Sequence, residues 1–201
     1  ATGTGKTYLS AFDVKNIDPK RILFVVHREN IARDAMNTFK NIIKNHTFGI
    51  FTGSDKDINS NYIFSTVQTI HKKEYREMFK PDTFDYIIID EVHRAGAESY
   101  QELMNYFIPS FLLGMSATPE RSDNFDIYKM FDYNIAYEIR LQQAMEYNLL
   151  CPFHYYGISD FIVDGKNIDD KTKFNDLITT ERINHIINKI ELYGHSGNRV
   201  R

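Results

Sequence analysis

Hydrophobic residues along this chain fall into short, nearly unbroken runs that alternate with segments of helical spacing. RILFVV (21–26), FGIFTG (48–53), NYIFST (61–66), YIIID (86–90) and FLLGMS (111–116) read as strands, with CPFHYYGI (151–158) a further candidate. Between them, residues 28–45 set Ile31, Ala35, Phe39, Ile42 and Ile43 on one helical face. Residues 97–108 do the same with Tyr100, Leu103, Met104 and Phe107. Continuous apolar strands alternating with amphipathic helices predict an α/β domain, a mostly parallel sheet with helices on both faces in a three-layer sandwich. Such sheets bind ligands at the carboxyl ends of their strands. Each motif below falls at such an end or just beyond it.

The chain opens on ATGTGKT (1–7), ahead of the apolar-periodic stretch Tyr8–Val14. Phosphate binding accounts for these residue types. Gly3 and Gly5 let the backbone bend so that successive N–H groups point at phosphate oxygens. The helix that starts here adds its positive end. Lys6 would reach the β- and γ-phosphates, and the Thr7 hydroxyl would ligate Mg²⁺, in the pattern G-x-x-x-x-G-K-[ST]. Thr2, Gly3, Thr4, Gly5, Lys6 and Thr7 are the candidate cofactor-binding residues for ATP. The alternative is a frayed, glycine-rich terminus. A loop of this kind follows a buried central strand, so the sequence predicts either such a strand ahead of Ala1 or an exposed slot between two neighbours.

The run FDYIIIDEVHRAG (84–96) ends a strand in two adjacent carboxylates. A nucleotide enzyme needs one acid for the metal and one to position or deprotonate the attacking water. Asp90 suits the Mg²⁺ role, through the metal's water shell since Mg²⁺ dehydrates reluctantly, and Glu91 suits the general base. The alternative is a solvated acidic pair at a strand end. With Lys6, these two acids are the candidate catalytic residues.

Composition changes this picture little. The chain has 201 residues, 42% hydrophobic and 25% charged, with net charge −3 and a pI near 6.2. That excludes a global basic footprint for nucleic acid but not a local positive groove. The single cysteine, Cys151, rules out an internal disulfide, fits a cytoplasmic, reducing setting and reads as a small buried residue. No apolar run approaches a membrane span. The seven histidines lack the spacing of a zinc site. Tyr155 and Tyr156 read as alternate sides of a strand.

ATGTGKT, DEVH (90–93) and SAT (116–118), in this order, resemble motifs I, II and III of superfamily-2 helicases and translocases. The likeness is to the DEAD/DEAH-box group, close to the branch with the motor subunits of type I and type III restriction enzymes. HRENIARDA (27–35), STVQTI (65–70), LLGMSATPER (112–121) and residues 135–158 resemble that branch as well. The resemblance implies a RecA-like P-loop NTPase domain over residues 1–158. Residues 159–201 would then be a polar linker and a helix leading toward a second RecA-like motor domain of the same parent chain. In that last part Thr180 reads as a helix cap, Ile183, Ile186, Ile187 and Ile190 as one stripe, and Gly194 as the stop.

Further roles come from the resemblance alone. His93, Ser116 and Thr118 would couple the nucleotide site to its neighbours, although Thr118 before Pro119 also reads as a helix cap. His27, Arg28, Thr66, Gln68 and Thr69 match segments that touch nucleic-acid backbone, DNA rather than RNA being expected. Each could equally be a surface or capping residue. Arg121 and Arg140 are not arginine fingers, which in this family lie on the second motor domain. Three functions stay open: a DNA helicase, a motor that moves along duplex without opening it, and a nucleotide-gated scaffold. Glu91 argues against the scaffold, which has no need of a base.

Overall fold

A computed structural model describes residues 3–94, 98–118, 126–151 and 179–194. The chain divides into two compact units, residues 1–151 and 152–201. In the first unit the described elements run α1 (Lys6–Ile17), β1 (Ile22–Val26), α2 (Glu29–Ile42), β2 (Phe48–Phe51), β3 (Tyr62–Thr66), α3 (Val67–Ile70) and α4 (Lys73–Arg76). They continue with β4 (Tyr86–Asp90), α5 (Glu98–Tyr106), β5 (Phe111–Met115) and α6 (Leu141–Glu146). The strands form one sheet in the order β2-β3-β1-β4-β5, and all four pairings are parallel.

The central strands are apolar throughout because both of their faces are covered. Ile22, Phe24 and Val26 of β1 join Ile88 of β4 in a cluster with Ala11, Val14, Ala32, Ala35 and Phe39 from α1 and α2. Leu23 and Val25, alternating with them, join Ile87 and Ile89 in a second cluster with Val67, Ile70, Tyr100 and Leu103 from α3 and α5. These are the three layers expected from the sequence. Phe24, Phe39 and Phe64 meet with ring centroids 5.2–5.5 Å apart, locking α2 onto β1 and β3. Each such ring contributes about 1.5–3 kcal/mol by leaving water.

Three features differ from the sequence pattern. α1 buries its small residues Ser10, Ala11 and Val14, while Tyr8, Leu9 and Phe12 stand 54–57% exposed. The five described strands pair without an interior gap, so of the two alternatives the slot between neighbours is not seen among the described residues, where β2 and β5 are the outermost strands. Cys151 is exposed rather than buried. On β5, Gly114 makes room for the Phe131 ring, since a Cβ there would lie 2.4 Å from Phe131 Cζ.

In the second unit the described element is helix α7 (Thr180–Tyr193). Its cap is Thr179, one residue before the predicted Thr180: the Thr179 hydroxyl accepts the Arg182 N–H at 3.2 Å. The predicted isoleucine stripe is exposed along it, and Gly194 closes it with an N–H bond to the Ile190 carbonyl of 2.6 Å. Pro119, Arg121, Tyr155, Tyr156 and the rest of the candidate strand after Cys151 lie outside the described residues. No described helix is long and apolar enough to cross a membrane.

A candidate nucleotide site at the carboxyl end of the sheet

Gly3 and Gly5 both adopt left-handed backbone, with φ of 80° and 81°. A Cβ on Gly5 would meet nothing within 4 Å, so conformation rather than space demands glycine there. Gly5 caps α1 without a side-chain hydrogen bond, and the first turn of α1 contains no acid. The helix therefore presents its positive end at the loop. Lys6 and Thr7 occupy that first turn, where the Thr7 carbonyl accepts the Ser10 hydroxyl at 2.9 Å. Thr2 lies outside the described residues.

Asp90 ends β4 at the carboxyl edge of the sheet. Burial pushes its carboxyl above the usual carboxylate range. The Glu91 N–H, bonded to Asp90 Oδ1 at 3.0 Å, opposes this, while the Glu91 charge adds to it. Lys6 and His27 pull the other way by charge. The glycine-rich turn and the acidic pair thus share one electrostatic neighbourhood, although they are far apart in sequence.

Glu91 carries a φ of 54°. Left-handed backbone at a residue with a side chain costs about 1–2 kcal/mol, and such strain gathers at working sites. The turn directs its carboxylate to His93, with Oε2 3.0 Å from Nδ1. The same nitrogen lies 3.1 Å from the Ser116 hydroxyl, which also accepts the Thr118 N–H at 3.1 Å. Sheet register explains the meeting. Asp90 pairs with Met115, so the residues leaving both strands emerge side by side.

The five residues assigned to nucleic acid come from the carboxyl ends of β1 and β3, which are in register at Val26 and Thr66. Arg28 and Gln68 are exposed. The Thr66 and Thr69 hydroxyls are buried and bond one another at 2.9 Å, fastening the turn that presents Gln68. His27 stands in the field of Asp90. Sequence patterning gave no hint of a link beneath the site, where the buried Tyr86 hydroxyl donates to Asp13 on α1 at 2.6 Å. A tyrosine in an otherwise aliphatic strand was the available signal.

Comparison with known proteins bears on the family and the fold. Residues 1–121 match the family model described as "Type III restriction enzyme, res subunit". The chain is 31% identical, over 76% of its length, to the Type I restriction enzyme EcoAI endonuclease subunit of Escherichia coli, of which it covers 20%. It is 28% identical, over 96% of its length, to a Saccharomyces cerevisiae protein provisionally named ATP-dependent helicase IRC3, of which it covers 31%. A nuclease-deletion mutant of the Type ISP restriction-modification enzyme LlaGI, in complex with a DNA substrate mimic, shares the fold. Its TM-score is 0.57 at 19% identity, over 74% of this chain and 18% of that one. The chain thus spans a third or less of the length of each of these proteins.

Proposed function

The chain belongs to the family of the type III restriction enzyme res subunit, and from that premise we propose that residues 1–158 are the first RecA-like motor domain of an ATP-driven DNA helicase or translocase. Residues 159–201 lead to a second motor domain of the same parent. One observation carries the reading: behind a left-handed glycine turn Lys6 heads α1, and the half-buried Asp90, whose carboxyl Lys6 lowers by charge, ends β4 at the carboxyl edge of the sheet.

The residues present fit a magnesium–nucleotide complex. The Asp90 carboxylate is held at a site whose burial disfavours its charge, so a cation there would be stabilising. Among the described residues no group of three His, Cys, Asp or Glu forms a metal cage. One carboxylate and the Thr7 hydroxyl, with phosphate oxygens and water, make a set that Mg²⁺ accepts. When bound, the metal would neutralise charge on the phosphates. The loop N–H groups and Lys6 hold the β- and γ-phosphates, and Glu91 orients the attacking water and takes its proton.

The His93, Ser116 and Thr118 network passes the state of Glu91 toward the segment after β5. Arg28 and Gln68 present contacts to nucleic-acid backbone, while Thr66 and Thr69 hold their turn; His27, next to Arg28, also acts by charge on Asp90. This is a grip without sequence readout. The finger that stabilises transition-state charge is supplied by the second domain and is worth ~10³–10⁵ in rate in related phosphoryl transfer. The isolated chain is therefore expected to hydrolyse ATP slowly and to unwind nothing.

The test is Glu91→Gln in the whole protein. ATP binding is expected to persist while DNA-stimulated hydrolysis falls by about 10²–10⁴-fold, the scale of a lost general base. Unchanged turnover would remove the assigned role. Comparing stimulation by single-stranded DNA, duplex DNA and RNA tests the substrate.

A further inference from the structure

We infer that Asp13 and Tyr86 form a crossbar that sets the spacing between the phosphate loop and Asp90, which makes both of them positioning residues for magnesium-dependent nucleotide binding. The inference rests on the nucleotide site proposed above. The two halves of that site ride on different elements. Lys6 and Thr7 are the first residues of α1, and Asp90 is the last of β4. Tyr86 Oη donates to Asp13 Oδ2 at 2.6 Å and joins these two elements directly.

The bond sits at matching depth on both. Asp13 lies about 10 Å below Lys6 along the helix, at 1.5 Å per residue. Tyr86 lies about 13 Å below Asp90 along the strand, at 3.3 Å per residue. A slip of α1 along β4 would therefore move Lys6 and Thr7 relative to Asp90 by the same amount that stretches the bond.

The other ties of α1 run to α2 and, through Asp18 and His46, to the segment before β2 rather than to β4. The inward face of α1 is Ser10, Ala11 and Val14, a smooth surface without a large side chain to key into the sheet. Its bulky residues Tyr8, Leu9 and Phe12 face outward. The strand end of the crossbar, by contrast, is rigid. The Tyr86 ring is buried and meets Phe111 edge to face, with centroids 4.9 Å apart. Phenylalanine would fill this position as well, so packing alone does not call for the hydroxyl. Its placement against Asp13 gives it a use. Mg²⁺ tolerates little departure from octahedral geometry, so a metal that Thr7 would hold directly and Asp90 through water would be the interaction most sensitive to that spacing. Phosphate contacts to the loop, all made by one element, are not.

The experiment measures ATP binding by calorimetry with magnesium and again with EDTA, on this chain and its variants, alongside thermal melts. Tyr86→Phe is expected to lose about tenfold in affinity with magnesium, the scale of one hydrogen bond, and less than twofold in EDTA. Asp13→Ala should behave the same way. Asp13→Asn, which keeps an acceptor oxygen, should stay within twofold of the original chain. Should Tyr86→Phe prove unable to fold, the partly exposed Asp13 variants carry the comparison. An equal loss with and without magnesium, or no loss, overturns the crossbar; so does an Asp13→Asn variant as weak as Asp13→Ala. Lys6→Ala separates the two levels of inference. If it leaves ATP binding intact, or if the unaltered chain binds no ATP, the site reading falls and the crossbar with it.

Discussion

The Glu91 carboxylate lies 3.0 Å from His93 Nδ1, and that one ring nitrogen also faces the Ser116 hydroxyl at 3.1 Å. A single proton on Nδ1 can therefore serve the proposed base or the segment after β5, and the balance between them links the two. The Glu91 backbone, held at a φ of 54°, aims the carboxylate at this partner.

Replacing His93 by Ala should leave ATP affinity within about twofold, because no loop or metal group is touched, and should lower DNA-stimulated turnover in the whole protein by about tenfold, the scale of one lost hydrogen bond. Steady-state kinetics at saturating and limiting ATP separate the two quantities. A rise in KM with unchanged kcat would count against a coupling role.

Gly5→Ala tests the loop by conformation alone, since a Cβ there collides with nothing. Left-handed backbone at alanine costs about 1–2 kcal/mol. The chain can absorb that cost by unbending the loop, so nucleotide affinity should fall about tenfold while the melting temperature moves only a few degrees. Calorimetric titration with ATP and a thermal scan check both.

Gly114→Ala should destabilise by about 1–3 kcal/mol, the range for overpacking. The new methyl would fall 2.4 Å from Phe131 Cζ. Combining it with Phe131→Leu should cost less than the sum of the two single changes. Urea melts of the four chains give the coupling.

Asp57 gives a pH-dependent test away from the nucleotide site. Burial alone would raise its carboxyl. Hydrogen bonds from the Ser60 hydroxyl and the Asn59 and Ser60 N–H groups, with the charge of Arg21, outweigh burial and hold it below the ordinary value. A lowered folded value means that the added stability is present above the unfolded pKa of about 3.9 and disappears as pH falls through the folded one. Asp57→Ala should thus cost about 1 kcal/mol near pH 7, the scale of a net hydrogen-bond contribution. That charge-linked part of the cost should shrink toward pH 2. Urea melts at the two pH values decide it.

The sheet was legible from the sequence because β1, β3 and β4 are buried on both faces and so carry unbroken apolar runs. The placement of the Asp90–Glu91 pair at a strand end and of the Gly5-Lys6-Thr7 turn at a helix start was legible because each pattern is local in sequence. What escaped were pairings between elements, such as Asp13 with Tyr86 and Gly114 with Phe131, which only the folded chain brings together. The outward turn of Tyr8, Leu9 and Phe12 escaped for a related reason. Periodicity identifies an apolar face but does not say whether a small-residue face packs better. Thr66 and Thr69 show the limit of motif reading: the hydroxyls match a contact segment, yet their bond is to each other.

The outer rim of β5 bears on how this chain behaves at the bench. Phe111, Leu112, Leu113, Gly114 and Met115 form a strand without a single charge, and no described strand pairs with its far side. Sheet rims are ordinarily guarded by lysine, proline or a bulge against zipping onto a neighbour. Among the described residues this one carries no such guard. Concentrated stocks should therefore grow turbid sooner than their surface charge suggests, and a lysine at the exposed Ser110, just ahead of the strand, is the first remedy to try.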